Sequence, residues 1–146
     1  MELIVKKYEE LTLDELYDII KARIGVFVVE QNCPYQELDG KDRLAYHVFF
    51  KDDNGIQAYL RVLNKGDAFT ECSLGRVITV ARGVGLGAKL IAAGIQVAKD
   101  TFNAKKLVVA AQVQAGGFYA KQGFTQCSDE FMEDNIPHIM MEMDIL

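Results

Sequence analysis

The chain has 146 residues, 50% hydrophobic and 25% charged, with a net charge of −5 and a pI near 5.0. That length suits one domain over residues 1–146, and such a chain buries roughly 68–70% of its unfolded surface without disulfide or metal staples. The acidic balance argues against sequence-independent nucleic-acid binding, which needs a basic face to displace counterions.

Residues 3–5 read as a short first strand, and the N-terminal stretch lacks the apolar run of a signal peptide. Thr12 with Glu15 three residues on forms a capping box. Leu13, Leu16, Tyr17, Ile20 and Ile24 then recur at helical spacing, which predicts a helix to about residue 28. Pro34 is a stop, and residues 39–42 are a turn. Residues 47–51 and 57–63 read as strands joined by Asp52-Asp53-Asn54-Gly55, where Asn-Gly accepts the positive φ a hairpin requires. After a second turn at 64–67 comes a strand at 73–80, and the three strands predict an antiparallel meander.

The pattern then changes. Residues 82–87 are glycine-dense, and 88–102 are helical with an apolar face of Leu90, Ile91, Ala93, Gly94, Val97 and Ala98. The least polar part, 88–98, is too short to cross a bilayer and carries Lys89 and Gln96. Residues 107–111 are an apolar run with β-branched valines, typical of a buried parallel strand. A short helix follows at 114–122, ended by Gly123, then a strand from Phe124 and a last strand at 139–145. The order β-α-β-β-β-α-β-α-β-β predicts a mixed α/β (α+β) sheet, antiparallel early, with a β-α-β unit late. Cys33, Cys72 and Cys127 are odd in number and form no CxxC pair, which predicts reduced thiols in a cytoplasmic protein. His47 and His138 are far apart in sequence, and no metal site is predicted.

Arg82-Gly83-Val84-Gly85-Leu86-Gly87-Ala88 lies between a strand and a helix. Such a place can bind an anion: the helix N-terminus presents unpaired N–H groups, and glycines let the backbone approach a phosphate. Gly83, Gly85 and Ala88 match the dinucleotide fingerprint, but that motif belongs in the first β-α-β unit, with an acid at the end of the next strand. Asp100 instead ends the following helix. No Gly-Lys-Ser/Thr follows, which excludes a Walker loop. The remaining pattern is Arg-x-x-Gly-x-Gly/Ala, met by Arg82, Gly85 and Gly87; a flexible loop is the bland explanation of the same glycines.

This pattern resembles motif A of the GNAT acetyltransferases, which grips the pyrophosphate of coenzyme A. Gly117-Phe118-Tyr119-Ala120-Lys121-Gln122-Gly123-Phe124 looks like the family's Phe-Tyr-x-Lys-x-Gly-Phe segment. Arg23-x-x-Val26-Phe27-Val28-Val29-Glu30-Gln31, Cys33-Pro34-Tyr35-x-Glu37-x-Asp39-Gly40-x-Asp42, His47, Arg61-Val62-Leu63, Gly75-Arg76-Val77 and Ile136-Pro137-His138 together resemble the ElaA-like subgroup. Two departures stand out: only Ala81 links Val80 to Arg82, and Gly116-Gly117 precedes Phe118, where a better helix former would be expected.

The resemblance implies a GNAT acyltransferase fold, acetyl-CoA as co-substrate, no metal, and direct transfer to a primary amine of a small molecule or peptide. Homodimers are common in the family, and neither nucleic acid nor membrane is an implied partner. Acetyl-CoA would lie between splayed strands 73–80 and 107–111, with Ile78, Thr79 and Val80 along it. The amides of Ile78 and Val80 would meet the pantetheine and thioester oxygen. Arg82, Gly83, Val84, Gly85, Leu86, Gly87 and Ala88 would cradle the pyrophosphate. Tyr119 matches the family tyrosine that donates a proton to the leaving thiolate; its bland role is packing beside Phe118 and Phe124.

For the general base the candidates are Glu30, His47, Glu71 and His138. His138 follows Pro137 and suits proton transfer near neutral pH, or hydrogen-bonds structurally at a strand end. Glu30, Gln31, His47 and Arg76 are the candidate acceptor-binding residues; His47, at the start of a strand, is structural or substrate-orienting, and a solvated helix end also explains Glu30. Arg76 faces the site or pairs with an acidic neighbour, and Cys33 reads as structural. Glu37, Asp39 and Asp42 either draw in a cationic amine or form a solvated loop. Two other functions stay open here: a coenzyme-A-binding module without turnover, and a nicotinamide-dependent enzyme.

Overall fold

Thr12 caps the first helix as the sequence demands: its side chain accepts from Glu15 N at 3.0 Å, and Thr12 N donates to Glu15 Oε1 at 2.9 Å. The computed structural model describes residues 1–80 and 83–145. In chain order it contains β1 (Glu2–Lys7), α1 (Leu13–Ile24), β2 (Tyr46–Asp52), β3 (Gly55–Leu63), β4 (Cys72–Thr79), α2 (Leu86–Phe102), β5 (Lys106–Gln112), α3 (Gly116–Lys121), β6 (Thr125–Gln126), β7 (Phe131–Glu133) and β8 (Ile136–Asp144). The strands form one mixed sheet in the order β1-β2-β3-β4-β5-β8-β6, with β7 paired to β8. This is the α/β acyltransferase architecture expected, including the antiparallel β2-β3-β4 meander and a parallel β4–β5 pair joined through α2.

Local departures have local causes. After Ile24 the helical winding widens into a π-turn at Gly25–Glu30. In the β2–β3 hairpin only Gly55 takes positive φ (107°), while Asn54 N donates to Asp52 Oδ1 at 2.8 Å. The register slips between Phe50 and Lys51, so a bulge absorbs the turn that Asn54 was expected to share. The strand expected from Phe124 shrinks to the two residues of β6. Asp134 and Asn135, both at positive φ, join the unforeseen β7 to β8 in a tight turn.

Alternation along the strands supplies two apolar faces. Val48, Leu60, Val62 and Leu74 pack under Leu90, Ile91 and Ala98 of α2, whereas Phe49, Tyr59 and Ile78 pack with Ile19 of α1. Gly94 lets α2 sit low on the sheet: a Cβ there would stand 2.9 Å from Leu60 Cδ2 and 3.1 Å from Leu74 Cδ2. Among the described residues no helix is long and apolar enough to cross a membrane.

One irregularity shapes the middle of the sheet. β4 and β5 pair at only three positions, Cys72↔Leu107, Ser73↔Val108 and Leu74↔Val109. Just beyond, β4 gains a residue against β3: Arg61 faces Gly75, but Tyr59 faces Ile78. Arg76 sits in this bulge at φ 53°. A bulge bends and over-twists its strand, so β4 swings away from β5 and an opening forms between them.

Candidate active site

The opening between β4 and β5 leads to a cavity of about 660 Å³. At its mouth α2 begins without a side-chain cap and without an acidic residue in its first turn. Gly85 is the N-cap at φ 75°, and Gly83 lies at φ 81°, conformations that side chains strain to adopt. Val84 and Ala88 are exposed, while Leu86 turns into the core. The uncapped N–H groups and bare backbone therefore fit a pyrophosphate. Arg82, the charged donor expected here, lies outside the described residues. Gly87 also serves the packing: a Cβ would stand 3.2 Å from the Phe118 ring, so its absence lets α3 pack against the first turn of α2.

Ladder phase corrects one expectation. Val80 N donates to Gln57 O at 2.8 Å, so its amide is engaged with β3 and not offered to a thioester. Backbone groups alternate sides along a strand, so Ile78, two residues back and paired with Tyr59, also turns toward β3. The edge facing the opening carries the backbone of Thr79 instead.

Tyr119 and His138 both line the cavity. The Tyr119 ring is held edge-on between Phe118 and Phe124, with centroids 5.2 and 5.8 Å away. Burial pushes its phenol well above the usual range, so it stays protonated at neutral pH. Among the described residues its hydroxyl takes no hydrogen-bond partner. His138 Nδ1 lies 2.7 Å from Ile136 O, which can only accept. Neutral His138 therefore carries its proton on Nδ1, and its Nε2 lone pair remains, 3.5 Å from Glu133 Oε2.

The other base candidates sit elsewhere. His47 is fully buried with both nitrogens engaged: Nε2 lies 2.9 Å from Asp42 O and Nδ1 2.7 Å from Tyr59 Oη. It offers no atom to a substrate, which overturns its expected contact with the acceptor. Glu30 is exposed at the end of the π-turn, and neither it nor Glu71 lines the cavity. Gln31 does line it, bonded through Oε1 to Gln112 Nε2 at 3.1 Å. Cys33 also lines it, its Sγ 3.2 Å from Asp134 O, and all three cysteines are free thiols. Asp100 bonds Gln96 on α2 and ends no strand, so the ribose partner a dinucleotide site needs is missing there.

The acidic run is neither a loose solvated loop nor a set of free carboxylates: Glu37 and Asp42 are buried, Asp39 stays exposed at the cavity, and all three are taken up by arginines. Arg23 grips Glu37 through Nε at 2.7 Å and Nη2 at 3.1 Å, and reaches Asp42 Oδ1 through Nη1 at 2.6 Å. Arg61 holds Asp39 through Nη1 at 2.9 Å and Nη2 at 2.5 Å, and shares Asp42 at 3.0 Å. Arg76 completes the group on Glu37 at 3.0 Å. Three guanidiniums thus meet three carboxylates. Burial alone would raise the Asp39 and Asp42 carboxyls, but the arginine hydrogen bonds outweigh it and hold both below the usual range. This network was missed because its members are scattered from residue 23 to residue 76; the clue was a set of arginines in apolar helix and strand positions.

The profile of the acetyltransferase (GNAT) domain family matches residues 13–145. A UPF0039 protein from Schizosaccharomyces pombe is 35% identical over 149 residues, covering 99% of this chain and 98% of its own. The protein ElaA from Escherichia coli is 33% identical over 143 residues, covering 95% and 94%. The crystal structure of E. coli ElaA superposes with a TM-score of 0.90 at 32% identity, over 99% of this chain and 100% of its own. An acyl-CoA N-acyltransferase from Pseudomonas aeruginosa superposes at 0.89 and 34% identity, over 98% and 99%.

Proposed function

This chain belongs to the acetyltransferase (GNAT) family, in company with ElaA, and from that premise we propose that it moves an acetyl group from acetyl-CoA directly onto a primary amine of a small molecule or peptide. The observation that carries this reading is the parting of β4 from β5 immediately ahead of an uncapped, glycine-entered helix, with Tyr119 lining the space between.

The settings of the described residues support a role for each, and the motif supplies that of Arg82. Arg82 and the backbone of residues 83–88 hold the pyrophosphate, and the edge of β4 that carries Thr79 runs beside the pantetheine. Bound acetyl-CoA supplies an activated acyl group. His138 Nε2 accepts a proton from the acceptor amine, and Glu133 offsets the imidazolium charge that results. Tyr119 Oη, kept protonated by burial, gives a proton to the departing sulfur. Gln31 lines the acceptor side of the cavity.

Thermal unfolding with coenzyme A, acetyl-CoA and NAD tests the donor site. Ligand at about 100 times its Kd adds about 2.7 kcal/mol, which for a chain of this size raises Tm by about 5–10 °C. The expected result is a shift with both CoA forms, none with NAD, and its loss in Gly85→Trp, where a bulky side chain meets both positive φ and the phosphate path. Thiol release from acetyl-CoA across a panel of amines then tests turnover. Absence of a shift with either CoA form removes the reading; a shift without thiol release from any amine leaves a binding module.

A further inference from the structure

One wall of the cavity is made by segment 31–45, which holds no strand or α-helix and only a single 3-10 turn, Lys41–Arg43. Cys33, Tyr35, Gln36, Asp39 and Lys41 of this segment face the cavity. The segment is fixed by charge. Arg23 on α1 and Arg61 on β3 take up Glu37, Asp39 and Asp42 from the frame of the molecule.

Arg76 differs from the other two arginines in where it starts. It grows from the β4 bulge, beside the opening between β4 and β5. Its Nε donates to Glu37 Oε1 at 3.0 Å, and its Nη2 donates to Glu37 O at 2.8 Å and reaches Asp39 Oδ2 at 3.4 Å. The guanidinium also lies over the Tyr35 ring, 5.6 Å from its centre. Arg76 thus touches three residues of the wall at once. Its own backbone is at φ 53°, where a side chain is strained and glycine would be at ease.

We infer that Arg76 is a positioning residue: through Glu37, Asp39 and Tyr35 it sets the acceptor wall against the strand edge on which the acyl donor lies. The inference rests on the donor reading above. It also predicts a separable defect. Without Arg76, Glu37 keeps Arg23 and Asp39 keeps Arg61, so the fold and the donor site stand while the wall loosens.

Two variants isolate the side chain. Arg76→Gly relaxes the backbone at positive φ and removes every contact to the wall. Arg76→Lys keeps the charge, but its single nitrogen cannot hold Glu37 and Asp39 in the arginine's fork geometry. Three quantities are read: the Tm shift with coenzyme A, amide hydrogen exchange across 31–45, and kcat/KM for the amine giving the fastest thiol release. The expected result in Arg76→Gly is an unchanged CoA shift, exchange at residues 35–39 about tenfold faster, and kcat/KM for the amine lowered by about 10- to 100-fold with the KM for acetyl-CoA unmoved. Arg76→Lys falls between the variant and wild type. Wild-type exchange and wild-type amine kinetics in Arg76→Gly overturn the inference. So does loss of the CoA shift in step with them, which marks a general structural role. If no amine turns over, exchange in 31–45 decides alone. A wild-type protein that shows no CoA shift sinks the donor reading instead, a result the exchange comparison does not mimic.

Discussion

At Tyr119, core packing and the proposed proton chemistry meet in one side chain. The ring packs in the core with Phe118 and Phe124, and the residue also lines the cavity. Tyr119→Phe keeps the ring and deletes only the hydroxyl. General-acid catalysis contributes about 10²–10⁴-fold, so thiol release should fall at least about 100-fold while the CoA-induced Tm shift persists. Wild-type turnover in this variant returns Tyr119 to a packing role. The place of Tyr119 in the cavity lining was legible because a short motif sets it within the helix that Gly123 ends. Val80 was not, because a bulge one turn of the ladder earlier sets which amides face the opening, and an arginine at positive φ gives no sequence sign of a bulge. Which of its two readings His47 would take, structural or substrate-orienting, was hidden for a similar reason: its partners, a turn carbonyl and a tyrosine on the next strand, are set by tertiary pairing, and they make it structural.

Among the elements, α2 carries the most constraint, since its first turn meets the opening and its middle rests on the sheet. Gly94 faces the buried side chains of Leu60 and Leu74, with less than van der Waals room for a Cβ. Gly94→Val should cost about 2 kcal/mol of overpacking, seen as a Tm lower by about 4–8 °C. An unchanged Tm would mean that α2 can ride up without loss. Most elements were readable from period and caps: the Thr12 box, the β2-β3-β4 alternation, and Gly123 (φ 104°) ending α3. The π-turn was not, because Gly25-Val26-Phe27-Val28-Val29 fits any helical winding and its choice depends on what it packs against. β7 escaped too, since three residues make a strand only when β8 lies beside them.

Over the whole molecule, the buried polar group predicts the response to acid. Burial holds the His47 pKa below 6.5, against the pull of Asp42, and the neutral ring already fills both of its hydrogen bonds. The unfolded chain therefore takes up the proton first, so this stability is present above about pH 6.5 and is lost as pH falls through the folded value. The depressed carboxyls of Asp39 and Asp42 act lower: their contribution is present above about pH 3.9 and is lost as pH falls through their folded values. Urea unfolding across pH should show two separate acid limbs. His47→Gln should lower stability at about pH 8 yet flatten the upper limb between about pH 7 and pH 5. An unaltered slope in that variant would place the titration elsewhere.

The ion-paired wall also separates what must stay from what can vary. Positions 37, 39 and 42 are spoken for by arginines of the frame, while the neighbouring Gln36 and Lys41 carry no such ion pair and reach the cavity. New side chains at 36 and 41 should change what the cavity admits while the arginine pairs that fix the segment stay in place. A library confined to these two positions is the natural starting point for redirecting the protein toward other acceptors.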